Sequence, residues 1–281
     1  MSQEFPSAAY TSAQEKWLGR DHLITPTIRK VFGDVLTDKT VLDIGCGNGH
    51  YSFDFCRWGA SRVVGIDKST EMIELCKKSI ENESIAKNTI RFEVADITNF
   101  HINSQFQIAT AFFVLQFIHD KSELEKAIKN ISNHLKSGGI FYGLVPNGVE
   151  GINGPQNMGQ LFSCQISNID SVNQNSIVQN LESSSKYLFP GASIDKSPSS
   201  AFIDGELVNI NFYDKNEICG NAQIALHSRD FYNQCFKNSG FSEIEWISPI
   251  FSDYGRQVLG DQFCDQFLNP PVDIMFKVVK K

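Results

Sequence analysis

The stretch Val41-Leu42-Asp43-Ile44-Gly45-Cys46-Gly47-Asn48-Gly49 decides the fold, because an apolar run is followed by three glycines at alternate positions. The run predicts a buried strand, and the glycines predict a tight turn that lets a ligand approach the backbone. Asp43 lies just before the turn, where its carboxylate could receive a hydrogen-bond donor of that ligand. The G-x-G-x-G spacing differs from the G-x-G-x-x-G of dinucleotide-binding turns.

A second apolar strand follows over residues 61–67 and ends in Asp67, 22 positions after Gly45. In βαβ units an acid at this point typically binds a ribose diol. The alternative is a glycine turn with an unrelated surface acid, but the two features together favour a nucleoside-binding site.

Five segments carry a resemblance to a known family: VLDIGCGNG at 41–49, VVGID at 63–67, FEVADI at 92–97, FFVLQFIHD at 112–120 and LKSGGIFYGLVPN at 135–147. The chain resembles the class I S-adenosylmethionine (SAM)-dependent methyltransferases, specifically their small-molecule branch and the toxoflavin-type N-methyltransferases. The resemblance implies an α/β, Rossmann-like fold. Its seven-stranded, mostly parallel sheet would have helices on both faces and a lid insertion after strand five. SAM would be the cofactor and S-adenosylhomocysteine (SAH) the product.

The resemblance also implies a set of cofactor contacts near the carboxyl ends of the first four strands. They are Asp43, Gly45, Cys46, Gly47, Gly49, Asp67, Lys68, Met72, Ala95, Asp96, Ile97 and Phe112, together with Trp17 from the N-terminal segment. Asp96 would accept a hydrogen bond from the adenine amine, and the Ile97 amide would donate to a ring nitrogen. Two alternatives remain open: Asp96 as a plain loop acid, and Met72 as core rather than a wall under adenine.

Methyl transfer from a sulfonium is an in-line displacement, and positioning alone lowers much of its barrier. A base that deprotonates the acceptor is the remaining catalytic role. His119 is the first candidate because it follows strand four at the edge where ligands bind open α/β sheets. Tyr10, Tyr142 and His227 are weaker candidates. A lone histidine is more often structural, so that alternative stays open for His119.

Composition limits the partners. The formal net charge of −7 and the lack of a basic cluster argue against nucleic acid as a partner and leave a small-molecule acceptor.

No apolar run reaches the roughly 18 residues of a membrane span, and the N-terminus lacks signal-peptide features, so we expect a cytoplasmic protein. The seven cysteines include no C-x-x-C pair, which predicts no metal site. The oligomeric state stays open.

The organisation along the chain is predicted in four parts. These are an N-terminal helical lid at 1–38, the cofactor-binding half of the methyltransferase domain at 39–149, an inserted substrate lid with a hairpin at 150–226, and the C-terminal part of the methyltransferase domain at 227–281. For 1–38, two helices packed on the sheet edge are the alternative. Short helices are expected within 150–200 because a structureless loop of that length is uncommon.

Local signals predict where several elements begin and end. Ser69 is an N-cap residue, and Ser122 to Glu125 form a capping box for a helix that stops at Gly138-Gly139. Residues 202–212 and 217–226 predict a β-hairpin. The segment 249–271 predicts a packed loop before the last strand.

Two other functions compete with methyl transfer. A nicotinamide-dependent oxidoreductase would need the longer glycine spacing and a catalytic Tyr/Lys set, neither of which the sequence contains. A non-catalytic protein that keeps the fold would be expected to lose cofactor contacts, yet Asp43, Asp67, Asp96 and the three glycines are present.

Overall fold

The computed structural model describes residues 6, 18–81, 83, 88–151, 156–157, 164–168, 202–214 and 217–281. The chain divides into two compact units. The first comprises Met1–Arg29, Pro146–Ser228 and Pro249–Val272, and the second comprises Lys30–Val145, Arg229–Ser248 and Asp273–Lys281. The glycine turn and the acids after the first three strands belong to the second unit, called the sheet unit below.

The sheet unit is built on a seven-stranded sheet. Its strands are β1 (Thr40–Ile44), β2 (Arg62–Asp67), β3 (Ile90–Val94), β4 (Phe106–Phe112), β5 (Leu135–Pro146), β10 (Glu245–Ile247) and β11 (Asp273–Val279), in the order β10-β11-β5-β4-β1-β2-β3. The pairs β1–β2, β1–β4, β2–β3 and β4–β5 are parallel, and β10–β11 is antiparallel. The predicted Rossmann-like fold with its mostly parallel, seven-stranded sheet is confirmed.

Helices cover both faces of this sheet. They are α2 (His50–Arg57), α3 (Thr70–Ile80), α4 (Lys121–His134) and α6 (Arg229–Asn238), and α1 (Thr25–Phe32) follows a π-helical turn at Arg20–Ile24. On one face Phe141 of β5 packs edge-to-face on Phe236 of α6 at 5.8 Å. On the other face its neighbour Tyr142 packs edge-to-face on Phe32 of α1 at 4.6 Å. Successive strand residues point to opposite faces, so β5 is buried on both sides.

Helix α3 begins as the sequence predicts, whereas α4 does not. Ser69 accepts a hydrogen bond from the Met72 amide at 3.3 Å, which confirms it as an N-cap residue. For α4 the predicted capping box at Ser122 is wrong, because Asp120 is the N-cap and its Oδ1 accepts from the amides of Ser122 and Glu123. The predicted stop at Gly138-Gly139 is also wrong, since α4 ends at His134 and β5 begins at the next residue.

The other unit contains a four-stranded sheet. Its strands are β6 (Gln156–Asn157), β7 (Cys164–Asn168), β8 (Glu206–Asp214) and β9 (Glu217–Leu226), in that order and antiparallel throughout. The β8–β9 pair confirms the predicted hairpin. The described part of 150–200 contains the helix α5 (Gly148–Gly151) and two strands, and the other short helices predicted there fall outside the described residues.

The predicted packed loop at 249–271 is wrong in its secondary structure. Two helices occupy it, α7 (Asp253–Leu259) and α8 (Asp261–Leu268). Ser252 caps α7 by accepting from the Gly255 amide at 3.0 Å. The aromatic residues do pack, since the rings of Phe251, just before α7, and Phe267, in α8, lie 5.8 Å apart.

The described residues were expected to contain neither a membrane-spanning helix nor a metal site. In this part of the chain, no helix has the length and apolar character to cross a membrane. Within the same residues no group of three or more His, Cys, Asp or Glu side chains is arranged to hold a metal ion.

We predict that Asp120→Ala lowers the melting temperature by about 2–4 °C, because the first turn of α4 loses the acceptor for two backbone amides. Glu125→Ala is the matched control, since Glu125 would matter only if the capping box began at Ser122. Thermal unfolding of both variants is the measurement. A larger loss for Glu125→Ala than for Asp120→Ala would contradict the observed cap.

Candidate functional site

The glycine turn joins β1 to α2 at the carboxyl edge of the sheet. Gly45, Gly47 and Gly49 have φ angles of 63°, 54° and 82°, the left-handed region that glycine tolerates best. At Gly45 a side chain is also excluded by space, because its Cβ would collide with a methyl group of Val114. The turn is closed by a bond from the Gly49 amide to the Cys46 carbonyl. Glycine is therefore required here by conformation and by contact.

Asp67 ends β2 and fixes the shape of the turn. Its Oδ2 accepts a hydrogen bond from the Gly47 amide and its Oδ1 accepts one from the Ser69 amide, both at 2.9 Å. The carboxylate therefore links the turn to the start of α3. Each oxygen has a second lone pair, so both can still accept from the hydroxyls of a ribose.

Asp43 has a different environment from the one that its position suggested. Its side chain is buried, and its carboxylate accepts hydrogen bonds from the hydroxyls of Ser52 at 2.5 Å and Thr110 at 2.8 Å. Burial raises its pKa to about 6, and the two hydroxyls oppose that rise. Asp43 thus ties β1 to α2 and β4 below the turn. Sequence reasoning missed Ser52 and Thr110, which are unremarkable within a helix and an apolar strand.

The segment after β3 places three of the implied contacts together. Ala95 donates its amide to the Asp67 carbonyl at 2.9 Å, and Ala95 and Ile97 are both half-buried. Asp96 is exposed, and its Oδ1 accepts from the hydroxyl and amide of Thr98. Burial opposes ionisation of Asp96, but the Thr98 bonds and the nearby Lys68 ammonium hold its pKa below the usual value. Asp96 is therefore a charged acceptor at this edge.

Two thiols contact the backbone of the turn. Cys76 donates to the Gly47 carbonyl at 3.1 Å, and Cys46 donates to the same oxygen at 3.8 Å. The hydrogen bond with Cys76, followed by burial, raises the pKa of Cys46 well above its ordinary value, so its thiol stays protonated and unreactive. These two thiols pack against the turn. Met72 of α3 is 2% exposed.

The end of β4 carries the aromatic part of the site. Phe112 is half-buried, and its ring lies edge-to-face on Tyr51 of α2 at 5.4 Å. Phe113 has a φ of 56°, an uncommon value for a residue with a side chain. This backbone bend directs the chain into the 3₁₀ turn Leu115–Phe117 and leads to Val114, which contacts Gly45.

The candidate bases are spread over different environments. His119 is exposed and precedes the N-cap of α4. Tyr142 is 1% exposed, and burial raises its pKa to about 12, so it is protonated at neutral pH and behaves as a core residue. His227 is buried in the other unit. Tyr10 and the implied cofactor contact Trp17 lie outside the described residues.

A nucleoside cofactor with a cationic tail fits the residues at this edge. The direction in which a Gly47 side chain would point has no atom within 4 Å, so the backbone is open to a ligand there. Asp67 and Asp96 supply charged acceptors, and Phe112 supplies an apolar surface. These two acids match a ligand that carries hydroxyl, amine and sulfonium groups better than one that carries phosphates.

Comparisons with known proteins find methyltransferases among the relatives of this chain. Residues 41–139 match the model of a family described as Methyltransferase domain. Protein 235L of Invertebrate iridescent virus 6, which is named as a methyltransferase, is 36% identical over 111 residues, 38% of this chain and 37% of that protein. The ubiquinone biosynthesis O-methyltransferase of Coxiella burnetii is 32% identical over 124 residues, 43% of this chain and 50% of that enzyme.

A tRNA U34 carboxymethyltransferase of Campylobacter lari is also similar, at 30% identity over 118 residues, covering 41% of this chain and 38% of that protein. Among solved structures, a SAM-dependent methyltransferase from Clostridium acetobutylicum superposes with a TM-score of 0.57 at 17% identity, covering 90% of this chain and 88% of that one. The fold is therefore that of the SAM-dependent methyltransferases, and residues 41–139 are similar to a methyltransferase domain. The chain spans about two fifths to half the length of the curated relatives it matches.

The raised pKa of Asp43 predicts a pH dependence of stability. Folding raises this pKa from 3.8 to about 6, so the neutral form is favoured in the folded protein. The stabilisation is therefore complete below about pH 4 and is lost as the pH rises through about 6. The loss is on the order of 2–3 kcal/mol. Asp43→Asn should flatten this decline in urea unfolding at pH 4 to 7, and parallel curves for both proteins would contradict the assignment.

Proposed function

We propose that this protein transfers a methyl group from SAM to a nitrogen or oxygen atom of a small-molecule acceptor. The observation that carries the proposal is the glycine turn held by Asp67. A turn of three left-handed glycines, closed by a carboxylate that retains acceptor capacity, is suited to a ribose and a charged methionine tail. Such a site has no evident purpose in a protein that binds no nucleoside.

Several residues of the sheet unit would hold the cofactor. Asp67 would accept from the ribose hydroxyls, and Asp96 with the Ile97 amide would face the adenine edge. The Gly45–Gly49 turn would lie against the methionine part, with Phe112 beside the sulfonium. SAM supplies an activated methyl group on its sulfonium. The chain has to orient the acceptor in line with that group and exclude water, and this positioning accounts for up to about 7 to 11 kcal/mol of barrier reduction.

A proton must leave an acceptor hydroxyl or ammonium when a methyl group is added. His119 is our candidate for the side chain that receives it, because it follows β4 at the carboxyl edge and is exposed to incoming molecules. Tyr142 is less suited to this role because its hydroxyl is buried and stays protonated at neutral pH.

A small-molecule acceptor is favoured over nucleic acid by charge. One relative acts on tRNA, but the net charge here is −7 and the acids Asp67 and Asp96 lie at the site. A polyanion would require Lys and Arg on the same face. A non-catalytic cofactor-binding protein is the second candidate, and turnover distinguishes it from an enzyme.

The test is SAH formation from SAM with pooled amines, phenols and hydroxyl-bearing metabolites, run beside total tRNA. We expect SAH to form with at least one small-molecule pool and not with tRNA. SAH formation only with tRNA would contradict the acceptor class. SAM binding without SAH formation from any pool would favour the non-catalytic candidate.

Asp67→Ala should weaken SAH binding by about 1–3 kcal/mol, because ribose hydroxyls lose their acceptor and the Gly47 amide loses the bond that orders the turn. Calorimetric titration with SAH measures the change. Glu71→Ala, an exposed acid in the first turn of α3, is the matched control and should bind normally. Equal SAH affinity in Asp67→Ala and the wild type would refute the ribose role.

His119→Ala should reduce the rate of methyl transfer roughly 10²–10⁴-fold, the usual contribution of a general base, while SAH affinity stays within about twofold. His101→Ala is the control, since His101 is another exposed histidine of the same unit. Rates should be measured under saturating SAM with an acceptor found in the pools. An unchanged rate would show that His119 has no part in proton removal.

A further inference from the structure

Two buried polar side chains at the carboxyl edge of the sheet have atoms without hydrogen-bond partners among the described residues. They are Gln116, in the turn after β4, and Asp273, the first residue of β11, and each residue is 4% exposed. The unpartnered atoms are Gln116 Oε1 and Asp273 Oδ2. Buried polar groups are nearly always paired, because leaving one unpaired is costly. Both atoms accept hydrogen bonds, so both suit a ligand that brings donors.

Backbone hydrogen bonds place Asp273 at the same edge as the glycine turn. The Asn147 amide donates to the Val272 carbonyl at 2.7 Å, and the Lys280 amide donates to the Gly139 carbonyl at 2.8 Å. Strand β11 therefore runs antiparallel to β5, and its first residue lies at the carboxyl end of that strand. Asp273 is consequently two strands away from β4, or about 10 Å in the hydrogen-bonding direction.

The alternation of side chains along the strands shows which face of the sheet carries Asp273. A side chain on Gly143 would collide with the ring of Phe276, so these two residues lie on one face. Asp273 is three residues from Phe276 and lies on the opposite face. Leu144 follows Gly143, pairs with Phe112 of β4, and also lies on that opposite face. Asp273 thus shares its face with Phe112, which the cofactor site uses.

The charge at this edge favours a ligand that carries positive charge or hydrogen-bond donors. Asp43, Asp67 and Asp96 already contribute three carboxyl groups, and Asp96 is compensated in part by Lys68. Asp273 adds a fourth, and burial raises its pKa to about 8. An anionic acceptor would be repelled here, whereas an ammonium group would stabilise the ionised carboxylate.

We propose that Asp273 binds the methyl acceptor by accepting a hydrogen bond from its amine nitrogen, so the substrate class is small amine-bearing molecules. This inference rests on the proposed methyl transfer and narrows its acceptor. The amine that contacts Asp273 orients the substrate and need not be the nitrogen that is methylated.

The test uses the SAH-bound protein, so that no turnover occurs, and three pairs of probes. Benzylamine, cyclohexylamine and tyramine are titrated calorimetrically beside benzyl alcohol, cyclohexanol and tyrosol. We expect at least one amine to bind about tenfold or more tightly than its alcohol. In Asp273→Asn this preference should fall to about threefold or less while SAH affinity is unchanged. Asp230→Asn, which alters an exposed acid in the first turn of α6, should keep the preference.

A second measurement on the wild type needs no variant. Near pH 7 an ammonium that ionises Asp273 releases close to one proton, which titrations in two buffers of different ionisation enthalpy detect. On the same face Tyr142, with its pKa of about 12, does not titrate in this range. Asp43 is ionised above about pH 6. Matched alcohols should release none.

Three results would overturn the inference. These are equal binding of amines and alcohols, a preference that survives in Asp273→Asn, and no amine binding up to about 10 mM in a protein that binds SAH. If SAH itself does not bind, the proposed methyl transfer fails instead, and the two failures are thereby distinguished. If Asp273→Asn does not fold, the proton release of the wild type decides.

Discussion

The hydrogen bond from the Gly47 amide to the Asp67 carboxylate is the interaction on which the site depends. Three glycines in the left-handed region leave the turn after β1 without side chains to hold it, so backbone bonds must fix its shape. Asp67 provides one of these bonds. Its other carboxylate oxygen accepts from the Ser69 amide, which links the turn to the start of α3. The same carboxylate retains acceptor capacity, so one side chain both shapes the turn and faces the ligand.

Several aspartates lie at the carboxyl edge of the sheet, and the surroundings of each one determine its role. Asp67 is half-buried and bonded to backbone amides. Asp43 is buried below the turn, where the hydroxyls of Ser52 and Thr110 compensate part of the cost of burial. Asp273 is equally buried, and burial is the cause of its raised pKa. Burying Asp273 lowers the stability of the folded protein. A role in ligand binding therefore explains this residue better than a purely structural role does.

Sequence patterns located the sheet well, because apolar runs of five to seven residues have few other uses. The sequence predicts strand β2 over residues 61–67, and it is found at Arg62–Asp67. The errors occurred where tertiary contacts override local signals. Gly138-Gly139 suggested a helix stop, but Leu135 already pairs with Phe106 of β4, and the strand continues through both glycines. The cap of α4 was misplaced because Asp120 and Ser122 are both good N-cap residues.

The site was only partly visible in the sequence, for a similar reason. Asp67 and the glycines carry a spacing that can be recognised, whereas Ser52 and Thr110 matter only once the fold brings them within bonding distance of Asp43. Asp273 is simply an acid at the start of an apolar strand until the fold buries it. Calorimetric titration of the intact protein with SAM, SAH and NAD tests the central claim most directly. The account predicts micromolar binding of SAM and SAH and none of NAD, whereas NAD binding, or no SAM or SAH binding, would contradict it.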